Sequence, residues 1–188
     1  MKRIGILGGT FDPPHMGHLI IAEEVRKAME LDEIWLIPSF EPPHKDRAKT
    51  ESTNRVEMVR LAIQGNSAFK ICTIEVDRLG KSYTFDTMEA LRSEFPEVSF
   101  YFIIGADMVE FLPHWENIDH LMDLVKFVGV QRNGYQLETD FPVEVVDVPM
   151  IEISSTMIRQ RLSNHGSVKY LVPDIVESYI KENHLYEN

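Results

Sequence analysis

The sequence predicts one domain over residues 1–188, built as a doubly wound parallel α/β sheet with helices on both faces. Three observations support this prediction. Short runs rich in Ile, Val and aromatic residues alternate with segments of helical periodicity. Most of these runs are continuously apolar, as is typical of strands covered on both faces. The alternation continues without an internal repeat or a Gly/Ser linker, which favours a single α/β domain.

Five strands are predicted, in chain order, at residues 4–7, 33–38, 70–76, 98–104 and 125–130. The first helix is expected over residues 18–30. Leu19, Ala22 and Val25 share its apolar face, and Glu23 and Lys27 can pair on the opposite face.

Three further helices complete the predicted elements. Residues 55–64 show the same periodicity and stop at Gly65, and residues 84–95 stop before Pro96. Residues 171–183 form the last helix, with Pro173 at its start. This helix either packs on the domain or covers a contact between copies of the chain, so a homo-oligomer is one expectation.

Composition excludes several classes of function. The chain is 44% hydrophobic and 26% charged, which is typical of a soluble globular protein. Its 19 basic and 30 acidic residues give a formal net charge of −11, which disfavours nucleic-acid binding. The sequence has no signal-peptide core and no long apolar stretch, so we expect neither export nor membrane spanning. The single cysteine, Cys72, excludes an internal disulfide and fits the cytoplasm.

Ligands of parallel sheets bind at the carboxyl ends of the strands. The most informative such end comprises residues 8–18, which we call the histidine loop. Gly8 and Gly9 lack side chains, so a ligand can approach the backbone there. His15 and His18 follow two prolines and lie at the start of a helix, where free N–H groups and the helix dipole favour an anion. The histidine loop therefore predicts a phosphate site.

Other interpretations of these motifs have less support. Two histidines three residues apart can bind zinc, but no third ligand lies nearby in the sequence, and they can also serve only for capping and packing. The dinucleotide spacing G-x-G-x-x-G is absent, since the glycine after Gly5 is Gly8. Gly80 begins a Gly-Lys-Ser string, but Glu75 stands where a P-loop needs glycine, which indicates a turn.

A second helix start is predicted near residues 153–159, with the sequence ISSTMIR. Ser155 or Thr156 is a good N-cap, and Arg159 shares a helix face with that cap. Hydroxyl groups, an arginine and a helix N-terminus together suit phosphate oxygens.

Five motifs resemble those of one enzyme family. GGTFDPPHMGH at residues 8–18 resembles the G-x-F-x-P-x-H-x-G-H signature of nucleotidylyltransferases, and ISSTMIR resembles their second signature, S-T-x-x-R. PPHK at 42–45, SYTFDT at 82–87 and IIGADM, which ends at Met108, make the chain similar to bacterial nicotinate-nucleotide adenylyltransferases. The resemblance extends from Lys2 nearly to the last residue, without departure at the motif positions.

The resemblance implies a Rossmann-like fold and an activity in NAD biosynthesis. In that activity, the phosphate of nicotinic acid mononucleotide attacks the α-phosphorus of ATP, giving nicotinic acid adenine dinucleotide and pyrophosphate. His18 would contact the α-phosphate and its transition state, His15 the triphosphate, and Arg159 the β- and γ-phosphates. The implied ATP-binding residues are Gly8, Gly9, Thr10, Phe11, His15, His18, Ser155, Thr156 and Arg159.

The same resemblance implies a site for the mononucleotide. Lys45 would meet its phosphate, and Asp107 would accept hydrogen bonds from ribose hydroxyls. Trp115 would offer a flat face to the pyridine ring. Thr84 opens a helix whose free N–H groups would hold the nicotinate carboxylate, and Arg132 is a weaker candidate for that pocket.

Magnesium is expected to arrive with ATP, because no set of carboxylates that would hold the ion is visible in the sequence. Asp12 is expected to serve in the turn rather than as a ligand. Two rival functions remain at this point. One is adenylyl or cytidylyl transfer to another phosphate acceptor such as phosphopantetheine, and the other is non-catalytic sensing of a nucleotide.

Overall fold

The computed structural model describes residues 1–42, 48–132 and 139–187, except for the side chain of Arg132. The strands in this part of the chain are β1 (Lys2–Gly9), β2 (Glu33–Pro38), β3 (Phe69–Ile71), β4 (Val98–Gly105), β5 (Lys126–Arg132) and β6 (Val143–Val148). The helices are α1 (Met16–Ala28), α2 (Ser52–Ala62), α3 (Ile74–Arg78), α4 (Thr84–Glu94), α5 (Ala106–Phe111), α6 (Ile118–Leu124), α7 (Ser155–Ser163) and α8 (Asp174–Glu182). A 3-10 turn, Leu112–His114, follows α5.

All six strands pair in parallel, in the order β3-β2-β1-β4-β5-β6. The strand order reverses between β1 and β4, which is where ligands bind in open α/β sheets. The carboxyl ends of these two strands, Gly9 and Gly105, therefore face the expected site. This topology confirms the predicted doubly wound sheet.

Side chains that alternate along β1 and β4 divide the core between the two faces of the sheet. Ile6 and Phe102 belong to a cluster that includes Leu91 of α4 and Leu121 of α6. The other face contributes to a second cluster, which includes Leu7, Tyr101 and Ile103 together with Ala22 and Val25 of α1. Helices thus cover both faces, as the continuously apolar strands predict.

The sheet differs from the sequence-based expectation in two places, and the short helices α5 and α6 were not predicted. The predicted strand at 70–76 is wrong in its second half, because β3 ends at Ile71 and the chain turns into α3. The Thr73 hydroxyl donates to Asp77 Oδ2 of α3 at 2.7 Å, and the buried Glu75 accepts from Thr87 of α4, so the turn gives both polar side chains a partner. Strand β6 was not predicted, because its alternating Val and acidic residues lack the continuous apolar character of a central strand.

Helix α8 packs against α2, α7 and the chain before it. Val176 and Ile180 are fully buried there, whereas Ile175 is exposed. This confirms that the helix packs on its own domain. A homo-oligomer stays a prediction. Among the helices of the described residues, none has the length and apolar character needed to cross a bilayer.

Candidate active site

The histidine loop places two imidazole rings at the start of α1. His15 is the N-cap, and its backbone N–H donates to His18 Nδ1 at 3.1 Å. Because Nδ1 of His18 is an acceptor, its neutral imidazole carries the proton on Nε2. The two rings stack with centroids 3.7 Å apart, and the buried ring of Phe11 meets His18 edge-on at 4.9 Å. This geometry holds His18 with its proton donor directed away from the loop backbone.

Gly17 lies close against the His15 ring. A Cβ at residue 17 would lie 3.0 Å from His15 Nδ1 and 3.1 Å from Cε1. Contacts this close would require the ring to shift by a few tenths of an ångström. The glycine of the H-x-G-H pattern therefore suits the observed position of the His15 ring.

His15 is neutral in the free protein at pH 7. Its side chain is almost fully buried, and loss of solvation lowers its pKa from 6.5 to about 4. Packed anionic oxygens of a bound ligand would favour the protonated imidazole. For His15, a bound triphosphate would therefore have to overcome the effect of burial before the ring became charged.

Helix α7 docks its N-terminus against the histidine loop. Ser155 Oγ donates to the carbonyl oxygen of Pro13 at 2.8 Å, and Arg159 donates to that of Asp12 at 2.7 Å. The second terminal nitrogen of Arg159 donates to Thr156 Oγ1 at 3.3 Å, as the shared helix face predicts. The two signatures, which lie far apart in the sequence, thus meet in space.

The N-cap of α7 differs from the expectation. Ser154, rather than Ser155 or Thr156, caps the helix, since its Oγ accepts from the backbone N–H of Met157 at 3.2 Å. Ser155 is instead the first helical residue and uses its hydroxyl for the contact with the loop. The local sequence offers three hydroxyl residues in succession, and tertiary contact selects among them.

Asp12 is a buried carboxylate at the centre of the histidine loop. Its Oδ2 accepts from the backbone N–H of Lys49 at 2.7 Å, and its Oδ1 accepts from the hydroxyl of Tyr186 at 2.6 Å. Both oxygens therefore have protein donors, which supports the expected role in the turn. No group of three or more His, Cys, Asp or Glu that could hold a metal ion occurs in the described ranges.

Arg55 was not anticipated as a site residue, and it is 1% exposed. Its guanidinium donates to four backbone carbonyls: Thr10 at 2.7 Å, Ser39 at 2.7 Å, Thr50 at 3.2 Å and Phe40 at 3.3 Å. These contacts join the histidine loop, the end of β2 and the segment before α2. Burial lowers the pKa of Arg55, and the nearby Asp12 carboxylate opposes this effect.

A cavity of about 320 Å³ opens beside the histidine loop, and we call it the Trp115 cavity. Its walls include residues 7–10 from β1 and the loop, residues 82–85 at the start of α4 and residues 102–105 of β4. Asp107 and Trp115 complete one side, and Ser39 and Glu75 line the other. A second cavity of about 450 Å³ shares the ends of β1 and β4 and extends to Glu110 and Val130.

Two buried polar atoms among the lining residues lack a hydrogen-bond partner in the described part of the chain. They are Ser39 Oγ and Trp115 Nε1. Trp115 otherwise packs edge-on against Phe102 and Phe127, with centroids 5.9 and 5.8 Å away. Unsatisfied polar atoms in a cavity indicate that a ligand or water completes them.

Glu75 connects the floor of the Trp115 cavity to the start of α4. Its Oε1 accepts from Thr87 Oγ1 at 2.8 Å. Burial raises the pKa of Glu75, although hydrogen bonds from Thr87 and Ser82 and the charge of Arg78 oppose this. Ser82 Oγ in turn accepts from the backbone N–H of Phe40 at 3.0 Å. The start of α4 is therefore tied to the chain that leaves β2.

Comparisons with known proteins agree with this geometry. A cytidylyltransferase-like family model matches residues 6–161. A nicotinate-nucleotide adenylyltransferase of Bacillus subtilis is 51% identical and covers 100% of both chains. A protein of Oceanobacillus iheyensis named as a probable nicotinate-nucleotide adenylyltransferase is 54% identical over 99% of this chain and 97% of its own. The chain belongs to the nicotinate-nucleotide adenylyltransferase family.

Solved structures share the fold of this adenylyltransferase. The nicotinic acid mononucleotide adenylyltransferase of Plasmodium falciparum, complexed with APC, has a TM-score of 0.82 at 22% identity. Its complex with NaAD has a TM-score of 0.81 at 23% identity. In both comparisons the alignment covers 99% of this chain and 98% of the other.

The adenylyltransferase brings most of its predicted site residues to one edge of the sheet. His15, His18, Ser155, Thr156 and Arg159 gather around the histidine loop. The residues that line the Trp115 cavity include Gly8, Gly9, Thr10, Thr84, Asp107 and Trp115.

Three predicted site residues need separate comment. The ring of Phe11 is buried in the core beneath His18 and Gly9, so it supports the loop from below. Arg132 ends β5, and its side chain lies outside the described part of the chain. Lys45 also lies outside the described residues. The ligand contacts assigned to all three stay predictions.

Proposed function

We propose that this protein transfers the adenylyl group of ATP to nicotinic acid mononucleotide, giving nicotinic acid adenine dinucleotide and pyrophosphate. One observation carries the proposal: the loop that bears the histidine pair and is held by Arg159 also contributes Gly8, Gly9 and Thr10 to the lining of a cavity that the start of α4 lines as well. A site for a triphosphate and a site for a carboxylate-bearing nucleotide thus share residues 8–10. The names of the relatives and the NaAD complex of the Plasmodium protein support this assignment.

The reaction needs alignment more than an activated side chain. A phosphate oxygen of the mononucleotide attacks the α-phosphorus of ATP, and the bond to the bridging oxygen of the β-phosphate breaks, which releases pyrophosphate. A phosphate monoester is already an anion at neutral pH and needs no activating base. Alignment of two reactants contributes about 7 to 11 kcal/mol in favourable cases, and one well-placed donor about 3 to 4 kcal/mol.

His18 is the donor that we assign to the α-phosphate. Its Nδ1 accepts from the backbone N–H of His15, so the proton that we assign to the α-phosphate is the one on Nε2. Arg159, Ser155 and Thr156 surround the β- and γ-phosphates in this proposal. Arg159 keeps contacts with the Asp12 carbonyl and Thr156, which restrict its rotamers before ATP binds.

The start of α4 selects an acid over an amide in this proposal. Tyr83 is the N-cap and makes no side-chain hydrogen bond to the helix, so the first N–H groups of α4 lack a cap from that side chain. These donors satisfy a carboxylate, whereas the amide nitrogen of nicotinamide would present donors to donors. Trp115 lies in the same cavity, where its indole face can meet the pyridine ring.

Divalent metal is expected to reach the site with ATP. Both oxygens of Asp12, the carboxylate nearest the histidines in sequence, already accept from protein donors. The described residues therefore fit an ion that is held by phosphate oxygens and water, which would neutralise charge on the leaving pyrophosphate. We expect this reaction to take place in the cytoplasm.

Acceptor choice tests the proposal. Pure protein is mixed with ATP, Mg²⁺ and one acceptor at a time, and pyrophosphate release is measured. Release with nicotinic acid mononucleotide, and much less with nicotinamide mononucleotide, supports the proposal. Release only with phosphopantetheine, or only when CTP replaces ATP, would contradict it, and absence of release with every acceptor would indicate a nucleotide sensor.

A further inference from the structure

A hydrogen bond links the last helix region to the histidine loop. The hydroxyl of Tyr186 donates to Asp12 Oδ1 at 2.6 Å, across 174 positions of the sequence. Asp12 is 3% exposed and Tyr186 is half-buried, so the carboxylate end of this bond is shielded from water. Burial and the neighbouring Asp12 carboxylate raise the pKa of the Tyr186 hydroxyl, which therefore keeps its proton and remains the donor.

Tyr186 is held firmly by its own surroundings. The backbone N–H of Leu185 donates to the carbonyl of Ile180 at 3.0 Å, and the Leu185 side chain packs against the cluster of α2, α7 and α8. Tyr186 itself has a φ of 64°, which tyrosine rarely adopts. Such a conformation persists only where the surrounding contacts determine it. The phenol is therefore a fixed support rather than part of a loose tail.

If Asp12 moved, His15 would move with it. Only two residues separate them, and both are prolines, whose fixed φ angles restrict local adjustment. Arg159 and Ser155 also hold this segment, through the carbonyls of Asp12 and Pro13. A buried carboxylate oxygen that lost its phenol donor would turn towards another donor or water, because an unpaired buried charge is unfavourable. Such a turn would shift the loop that carries both imidazoles.

We propose that Tyr186 is a positioning residue for adenylyl transfer, which holds the Asp12 carboxylate and through it the histidine loop. This inference rests on the proposed function. Tyr186 does not line the Trp115 cavity, so it acts through the loop and not on the mononucleotide. A displacement of about 1 Å in a reacting geometry can lower a rate on the order of 100-fold. The expected signature is therefore a fall in kcat with little change in either KM.

Tyr186→Phe tests this inference, and the chain offers a matched control. The hydroxyl of Tyr179, also in the α8 region, donates to Asn54 Oδ1 at 2.8 Å. Tyr179→Phe thus removes the same chemical group and one hydrogen bond, but the partner belongs to α2 and not to the histidine loop. We expect kcat to fall roughly 10- to 100-fold in Tyr186→Phe, with both KM values within about threefold of the wild type. In Tyr179→Phe we expect kcat within about twofold, since lost stability alone does not move the loop.

A double-mutant cycle shows whether Tyr186 acts through Asp12. In an Asp12→Ala background, the further change Tyr186→Phe should alter kcat less than about twofold, because the partner is already absent. If Tyr186→Phe lowered kcat by the same factor in the Asp12→Ala background as in the wild type, the inference would be overturned. If Tyr186→Phe did not fold, Asp12→Asn would replace it, since an amide accepts only one of the two hydrogen bonds. Unchanged kcat in that variant would also overturn the inference.

The outcomes separate this inference from the function on which it rests. Wild-type protein that forms no dinucleotide from nicotinic acid mononucleotide contradicts the proposed function. Active wild-type protein whose Tyr186→Phe and Tyr179→Phe variants have equal kcat contradicts only the role of Tyr186.

Discussion

The histidine loop and the Trp115 cavity adjoin at residues 8–10, yet the protein satisfies their polar groups to different degrees. In the loop, protein donors already engage the Asp12 carboxylate and the carbonyls of Thr10, Asp12 and Pro13, although the buried His15 Nδ1 has no partner among the described residues. In the cavity, Ser39 Oγ and Trp115 Nε1 are buried without a partner among the described residues. The backbone of the loop is therefore held in place before a ligand binds, whereas two polar side chains of the cavity are left for the ligand.

This difference matches the two tasks of the proposed reaction. Transition-state charge is stabilised best by donors that need no rearrangement, so the phosphate end benefits from a rigid loop. Selection of an acceptor depends on polar atoms that only the correct ligand satisfies, because a wrong ligand leaves them buried and unpaired. The comparison therefore predicts that changes in the loop lower kcat, whereas changes in the cavity raise the KM of the mononucleotide.

The largest expected effect comes from His18→Ala, which removes the proposed donor to the α-phosphate. We expect kcat to fall roughly 100- to 1,000-fold, the loss typical of one preorganised donor. The KM for ATP should change only a few-fold, since the other phosphate contacts remain. Steady-state kinetics of pyrophosphate release measure both. A rise in KM as large as the fall in kcat would make His18 a binding residue.

Arg55→Met would break the rigid side of the comparison. It leaves several buried carbonyls without a donor, so we expect the free energy of unfolding to fall by roughly 3 kcal/mol. Arg60→Met is the matched control, because Arg60 is an exposed residue of the same helix that pairs with Glu57. Urea denaturation should show a change within about 0.5 kcal/mol for this control. Equal losses of unfolding free energy in the two variants would show that the hydrogen bonds of Arg55 do not stabilise the loop.

Acid should lower the stability of the folded protein between pH 6.5 and 4, because His15 is buried in its neutral form. The pKa of His15 is about 4 in the folded protein and 6.5 in a model peptide, so only the unfolded chain gains this proton between these values. Stability therefore falls as pH falls from 6.5 to 4, by about 3 kcal/mol for this group. Urea denaturation of wild type and His15→Gln should differ in pH dependence by this amount. Parallel curves for the two proteins would contradict the burial of a neutral His15.

Ser39→Ala is the smallest change and acts on the open side of the comparison. Because Ser39 Oγ has no partner in the described part of the chain, its loss should alter unfolding by less than about 0.5 kcal/mol. The KM for the mononucleotide should rise about tenfold, which corresponds to one neutral hydrogen bond. The KM for ATP provides an internal control and should not change. If only the KM for ATP rose, Ser39 would contact ATP and not the mononucleotide.

The sequence predicts the fold well because its strongest signals are local. The apolar run of β2 and the helix that begins at Thr84 occur where periodicity places them. Strand β6 was not predicted because it lies at the edge of the sheet, where a strand has the alternating polar sequence of an exposed segment. The second half of the predicted third strand became α3, since Glu75 obtains its partners only in the tertiary structure.

The site was predictable where motifs carry the chemistry and not where supporting contacts do. His15, His18 and Arg159 belong to recognisable patterns. Arg55 and Tyr186 support the same loop from positions that no local pattern distinguishes from a helix arginine and a surface tyrosine. Their roles depend on hydrogen bonds between segments far apart in the chain, which periodicity does not report.

A crystal structure with nicotinic acid adenine dinucleotide would show whether the histidine loop and the Trp115 cavity bind the two halves of one product. We expect the bridging diphosphate to lie within hydrogen-bond distance of His18 Nε2. We also expect the nicotinate carboxylate to accept from backbone N–H groups at the start of α4, beside Trp115. A dinucleotide bound with its pyridine outside the Trp115 cavity, or with its diphosphate away from the histidine loop, would show that these two regions do not form the proposed site.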